Sequence, residues 1–410
     1  MADKINRRGF LKSAGSIGAA SLLGVGESFG EPNDVNSVEK DIKPVYPQVP
    51  KRVLGKTGLE VSILGLGGVD TLENQIILYK AMEWGINFID TSPNYSNGNS
   101  ELGIGRFLKR NPERRKDLII ATKASRSKTV EDIEKQLQGS LERMNTGYID
   151  LYHGLHGLND PSRLTDEVRD WAKSAKERGL IRHFGFSSHE NMAECLKAAS
   201  KLDWIDALIV HYNFRVMQDP AMQEAMEACF NANIGLIAMK TQGRKQVGEL
   251  ETEADKKLTS HFMERGFSEH QAKLKAVWAD KRIASACSKI SNTAVMVSNV
   301  AAALDKTELT KSDMDEFREY ANATCNGYCA GCGNICKGAM PEADYITDVM
   351  RYLMYYNGYG EKAEARRLFG ELPAEVKERI AKIDYSAAER VCPQGLAIGE
   401  RMKEAFVKLG

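Results

Sequence analysis

The chain has 410 residues, 56 Lys+Arg against 56 Asp+Glu, and 42% hydrophobic residues. Length and apolar content allow a barrel of ordinary size plus a smaller domain. The balanced charge gives no overall argument for nucleic acid or an anionic surface and leaves such contacts to local basic patches.

The amino terminus reads Asn6-Arg7-Arg8-Gly9-Phe10-Leu11-Lys12, followed by a mildly apolar run rich in Ala, Gly and Ser to about Gly26. Paired arginines before a weakly hydrophobic stretch resemble a twin-arginine signal. Residues 1–30 are therefore expected to engage the Tat export machinery and take the folded protein to the periplasm. The alternative is an ordinary basic tail. The run is too short and Gly-rich for a transmembrane helix, and no convincing small-x-small cleavage site follows, so processing or retention as a membrane anchor stays open. Residues 31–50, polar and proline-bearing, read as a linker or wrapping arm.

From Arg52 the pattern becomes strand and helix in alternation. Arg52 to Leu54 and Glu60 to Ser62 form a predicted hairpin able to plug a barrel. Eight apolar strands are expected at Ile63 to Gly67, Phe88 to Asp90, Leu118 to Thr122, Ile149 to Tyr152, His183 to Ser187, Ala207 to His211, Gly235 to Met239 and Ala294 to Val297. Amphipathic helical stretches such as Thr129 to Met144 separate them, and this rhythm predicts an α/β fold, a (β/α)8 TIM barrel over residues 51–315. Arg244 to Phe267 is a charged insert, either a lid or a solvated helical excursion.

Chemistry collects at the carboxyl ends of the strands, where such a barrel keeps its active site. The second strand delivers Asp90 and then Tyr95, the third Lys123, and the fourth is followed by His153 and His156. Reducing a carbonyl by hydride transfer leaves an alkoxide needing a proton. A phenol can supply it, and an ammonium beside the phenol lowers its pKa. Asp90 would hold the ammonium, and a histidine would hydrogen-bond the carbonyl oxygen.

Leu54-Gly55-Lys56-Thr57-Gly58-Leu59-Glu60-Val61-Ser62, Phe88-Ile89-Asp90-Thr91 with Tyr95, Ala121-Thr122-Lys123, Tyr148-Ile149-Asp150-Leu151-Tyr152 with His156-Gly157, and Ile181 to Ser187 together resemble the aldo/keto reductases, over about Arg52 to Leu309. The resemblance implies Tyr95 as proton donor, Asp90 and Lys123 as its tuners, and a substrate-orienting histidine. That family usually places the histidine five residues after the motif aspartate, whereas His153 and His156 lie three and six after Asp150. Assigning the role to His156 requires a one-residue bulge before it; the other histidine is then a core or loop hydrogen bonder.

The resemblance also implies NADP(H) or NAD(H), with Ser187 and Ser188 at the nicotinamide amide, Tyr212 stacked on the ring, Lys240 on the pyrophosphate, and Ser298 and Lys306 at the adenosine end. Lys306 reads equally as a solvated helix residue. Ile209 stands where a glutamine is expected. There is no Gly-x-Gly-x-x-Gly fingerprint of a Rossmann domain.

Of eight cysteines, five follow Ala321. Cys195, Cys229 and Cys287 fall in helical stretches of the predicted barrel and read as buried packing residues. Cys329, Cys332 and Cys336, completed by Cys392 before Pro393, resemble one complete set of ferredoxin-type ligands for a single 4Fe-4S cluster. A structural zinc or disulfides are the alternatives, and Cys325 is spare. With helices expected at Ala343 to Tyr356 and Glu361 to Leu368, residues 316–410 form a small, mainly helical, ferredoxin-like domain, similar to the extension of one aldo/keto reductase branch.

Together these features predict an exported NAD(P)-dependent oxidoreductase that interconverts a carbonyl or sugar substrate and its alcohol. Its cluster would serve a redox partner or the structure. The competing expectation is a cofactor-binding redox sensor without turnover.

Overall fold

The computed structural model describes residues 46–68, 72–73, 75–125, 127–243 and 251–410. The export-signal segment and the linker up to Val45 therefore lie outside the described residues. Among those described, no helix is long and apolar enough to cross a membrane.

β1 (Lys51–Val53) and β2 (Glu60–Ser62) pair antiparallel as the predicted hairpin. Leu54 and Val61 from it enter a buried cluster with Phe88, Ala121, Leu151, Ala207, Ile209 and Ile237. Each such side chain contributes about 1.5–3 kcal/mol when fully buried, so the hairpin is a plug held by the barrel's own core. Gly55 lies against this seam at φ +48, where a Cβ would sit 2.4 Å from the Gly235 nitrogen, so only glycine fits.

β3 (Leu64–Gly67), β4 (Phe88–Asp90), β5 (Ile119–Lys123), β6 (Ile149–Leu155), β7 (Ile181–Ser188), β8 (Ala207–His211), β9 (Gly235–Met239) and β10 (Ile283–Ser288) close into a barrel in the order β10-β3-β4-β5-β6-β7-β8-β9. Every pairing around the ring is parallel. All strands therefore end at one mouth, and alternate residues point inward.

One predicted strand is wrong. The eighth strand is Ile283–Ser288, and Ala294 to Val297 lies inside the helix Thr293–Leu304. An apolar run of this kind does not by its periodicity distinguish a strand from a buried helix, and the cap decides it. The Asn292 side chain accepts from the Val295 N–H and starts the helix there. The same error misplaced Cys287, which is on β10 facing the barrel interior rather than on a helix.

The insert contains the helix Glu253–Glu264, whose Phe262 packs with Phe214, Phe317 and Tyr320; residues 244–250 lie outside the described set. Phe317 and Tyr320 belong to the helix Lys311–Ala323, which runs across the expected domain boundary at residue 315. Beyond it the chain is helical to the end, as expected. Met340, Ile346, Met350, Leu353, Phe369, Tyr385, Ile398, Met402 and Leu409 form a second core. This domain sits on the barrel mouth. Arg215, just after β8, donates to Thr324 Oγ1 at 2.7 Å and to the Ala321 carbonyl, while Asn191, after β7, bonds Gly331 and Asn334.

Candidate active site

Strand alternation turns Asp90, Lys123 and Cys287 inward at the mouth, and the loop after β4 folds Tyr95 back over them. Lys123 Nζ donates to both Asp90 carboxylate oxygens, at 2.6 and 2.7 Å, and to the Thr91 carbonyl at 2.7 Å. The same ammonium lies 4.8 Å from the centre of the Tyr95 ring. The ion pair is buried and the phenol half-buried against it, at the strand ends where the sequence placed them.

The phenol's acidity differs from the expectation. Burial, with the charges of Asp90, Cys287, Glu361 and Glu364, raises the Tyr95 pKa well above 10. Asp90 lies against the Lys123 ammonium and offsets part of the cation's field at the phenol. Tyr95 rests as the protonated acid.

β6 contains the bulge that the histidine assignment required. His153 pairs with Gly185 and Leu155 with Phe186, so the register shifts by one residue across Gly154. A Cβ on Gly154 would lie 2.3 Å from the Phe184 ring, which explains the glycine there. His156 Nδ1 is hydrogen-bonded to Ser125 Oγ at 2.8 Å, and Ser125 in turn to Ser92 at 2.9 Å. A serine relay thus fixes the imidazole against the loop that carries Tyr95.

His153 is the strand partner of Lys123 and is fully buried. Neither of its ring nitrogens has a hydrogen-bond partner. Burial and Lys123 pull its pKa well below the usual histidine value, so it is neutral. Unpartnered buried nitrogens beside the Lys123 pair mark a place where a polar ligand would supply the missing bonds.

The predicted cofactor residues divide. Ser187 is buried and accepts from the Gly157 N–H. Ser188 faces the other way, its hydroxyl donating to the Leu158 carbonyl and lying near that of Glu190, so it is committed to the loop. Tyr212 is corrected outright. It follows the inward-facing His211 on β8, and its hydroxyl donates to Asp280 at 2.6 Å in the outer layer, away from the mouth. Ser298 lies in the middle of the helix Thr293–Leu304, its carbonyl held by Gln271. Lys306 is exposed beyond that helix's carboxyl end, a helix length from the mouth. Both positions came from the misplaced eighth strand.

Lys240 is at the mouth, at the end of β9. It is half-buried, in a left-handed conformation (φ 54), and its Nζ donates to Tyr355 Oη at 3.3 Å. No carboxylate of a described residue lies within ion-pairing distance of it. Burial, with the Arg351 charge nearby, pulls its pKa well below the ordinary lysine value. A partly desolvated ammonium lacking an anion fits a phosphate-bearing cofactor.

Sequence reasoning missed the contributions of the carboxyl-terminal domain. Tyr328 Oη is hydrogen-bonded to His211 Nε2 at 2.8 Å, burial and Lys240 pulling that imidazole down to about 3. Arg351 pairs with Asp348, and Glu361 pairs with Lys289, just after β10, at 3.1 Å. The tyrosine-rich run Arg351 to Tyr356 was the available signal, yet nothing local says that it reaches the barrel.

None of the four expected metal ligands is paired in a disulfide. Cys329, Cys336 and Cys392 pack against one core, and the Cys329 thiol is electrostatically coupled to Cys332, Cys336 and Cys392. Burial pushes the Cys336 thiol up to about 11. Among the described residues no group of three or more His, Cys, Asp or Glu is close enough to share one metal ion. Cys325 lies outside this coupled set, near Arg215.

The sequence profile of the Aldo/keto reductase family matches residues 63–321. The chain is 36% identical over 155 residues to the oxidoreductase YqkF of Bacillus subtilis, a match covering 34% of this chain and 48%, about half, of that relative. It is 26% identical over 297 residues to L-galactose dehydrogenase of Arabidopsis thaliana, covering 66% and 92%. Among solved structures it is similar to aldo-keto reductase AKR11C1 from Bacillus halodurans in its holo form, with TM-score 0.55 and 25% identity over 67% of this chain and 96% of that one.

Proposed function

The chain belongs to the aldo/keto reductase family, and on that premise we propose that it interconverts a carbonyl and an alcohol at the Tyr95 end of the barrel with NADP(H) or NAD(H). Family and relatives make it an oxidoreductase. The observation that carries the finer reading is the Lys123 ammonium, held between Asp90 and the Tyr95 ring at the barrel mouth.

Bound nicotinamide supplies or takes up a hydride at the substrate carbon. Tyr95 gives the proton to the oxygen. An alkoxide is far more basic than a phenolate, so the raised pKa of Tyr95 does not oppose transfer, and Lys123 stabilises the phenolate that remains. His156, oriented by Ser125, donates to the oxygen as charge develops. Lys240 and Ser187 are the cofactor contacts at the mouth that the geometry supports. The relative named L-galactose dehydrogenase supports a sugar or related polar carbonyl as substrate. Turnover of a panel of sugars and ketones, abolished by Tyr95→Phe, tests this; turnover that survives the substitution overturns it.

In the same reading Cys329, Cys332, Cys336 and Cys392 hold one 4Fe-4S cluster, which supplies one-electron exchange with a redox partner or a structural staple. The twin-arginine segment directs the loaded protein to the periplasm, since that pathway carries folded proteins. Anaerobic purification with iron, sulfide and zinc quantified is the test. About four irons per chain, reduced to none by Cys392→Ser, is the result expected of a four-thiolate cluster; stoichiometric zinc or no metal overturns it. Fractionation of cells expressing the full chain and an Arg7→Lys/Arg8→Lys variant tests export.

A further inference from the structure

The mouth contains a second lysine and tyrosine seated like the first. Lys240 Nζ lies 4.8 Å from the centre of the Tyr355 ring, as Lys123 does from Tyr95. Tyr355 comes from the carboxyl-terminal domain, on the π-turn Met354–Gly358, a backbone irregularity found often at functional sites. The turn is fixed from both sides. The Glu361 N–H donates to the Tyr355 carbonyl, and the Glu361 carboxylate pairs with Lys289 after β10. Tyr355 is thereby clamped across the ends of β9 and β10, and the charge of Tyr95 contributes to raising its pKa.

The phenol oxygen of Tyr355 accepts from Lys240, so its own proton points elsewhere, and no described residue takes it. Tyr355 is half-buried at the mouth, so this O–H is a donor open to a ligand oxygen. Tyr95 serves the oxygen on the reacting carbon. A second donor in the same mouth matches an oxygen on the neighbouring carbon.

We propose that Tyr355, held on Lys240, hydrogen-bonds the hydroxyl next to the reacting carbonyl, so that the docked carboxyl-terminal domain selects α-hydroxycarbonyl substrates. This rests on the carbonyl-reducing reading of the Tyr95 site. It makes the domain a wall of the active site rather than an appendage beside it.

The test is steady-state reduction of D-glyceraldehyde and of propanal by the full chain, which differ only in hydroxyls. Tyr355→Phe keeps the ring over Lys240 and removes the donor. It is expected to lower kcat/KM for D-glyceraldehyde about tenfold, the worth of one such hydrogen bond, and to leave propanal and the cofactor Kd unchanged. Lys240→Gln, which frees the phenol from the cation that orients it, should lower the same ratio. Equal loss on both aldehydes, or loss on neither, overturns the inference. A wild-type chain that reduces neither aldehyde overturns the carbonyl reading and this inference with it.

Discussion

Lys123 at the end of β5 and Lys240 just after β9 each hold an ammonium 4.8 Å from a tyrosine ring, yet only Lys123 has a carboxylate bonded to it. Removing an ammonium from water costs several kcal/mol unless an anion faces it. Asp90 meets that cost for Lys123 within the folded chain. For Lys240 the phenol of Tyr355 meets only part of it, and the pKa of Lys240 falls accordingly. The first lysine is complete without a ligand; the second is completed by whatever anion or polar group binds. The difference separates a group that works on the proton from one that waits for a partner.

The sharpest way to break this comparison is through catalysis. Lys123→Met should lower kcat by about 10²–10⁴-fold, the usual worth of assisted proton transfer, with cofactor affinity kept. Loss of affinity with kcat intact would reverse the roles of the two lysines. Stability comes next. Asp90→Asn leaves the Lys123 ammonium buried alone and should cost about 3–5 kcal/mol in urea unfolding, much of it restored in the Asp90→Asn/Lys123→Met double variant. Lys240→Met orphans no carboxylate, so it should leave stability unchanged or improved while raising the Kd for NADP(H) about tenfold in a fluorescence titration, as loss of one charged hydrogen bond does.

The smallest effect is one of pH. The folded-state pKa of Lys240 lies below its unfolded value, so the unfolded chain binds the extra proton between the two, and stability rises with pH through that window, up to about 10.4. Unfolding at pH 8 and pH 10 should show a rise in the wild type that is smaller in Lys240→Met. Equal rises would mean that Lys240 reaches solvent.

Much of this was legible in the chain. Asp90, Tyr95 and Lys123 sit at strand ends, and a closed parallel barrel brings all strand ends to one mouth, so their meeting followed from local pattern. His156 was legible through its spacing, because a bulge at a glycine repairs a one-residue excess. Tyr212, Ser298 and Lys306 failed for different local reasons. Tyr212 is one residue past His211, and alternation turns adjacent side chains to opposite faces. Ser298 and Lys306 depended on an eighth strand that a capping asparagine turned into a helix.

By itself the sequence determined what is periodic or local: strands of period two, capped helices, the inward face of each strand, and the cysteine spacing of the last ninety-five residues. Only the tertiary structure decided which distant groups share a low-dielectric space. It placed Asp90 against Lys123, so that the carboxylate offsets part of the Lys123 field at Tyr95, left Lys240 without an anion, and brought Tyr328, Tyr355 and Glu361 onto the barrel mouth. Charge and desolvation depend on distance in space, and neither spacing nor composition records that.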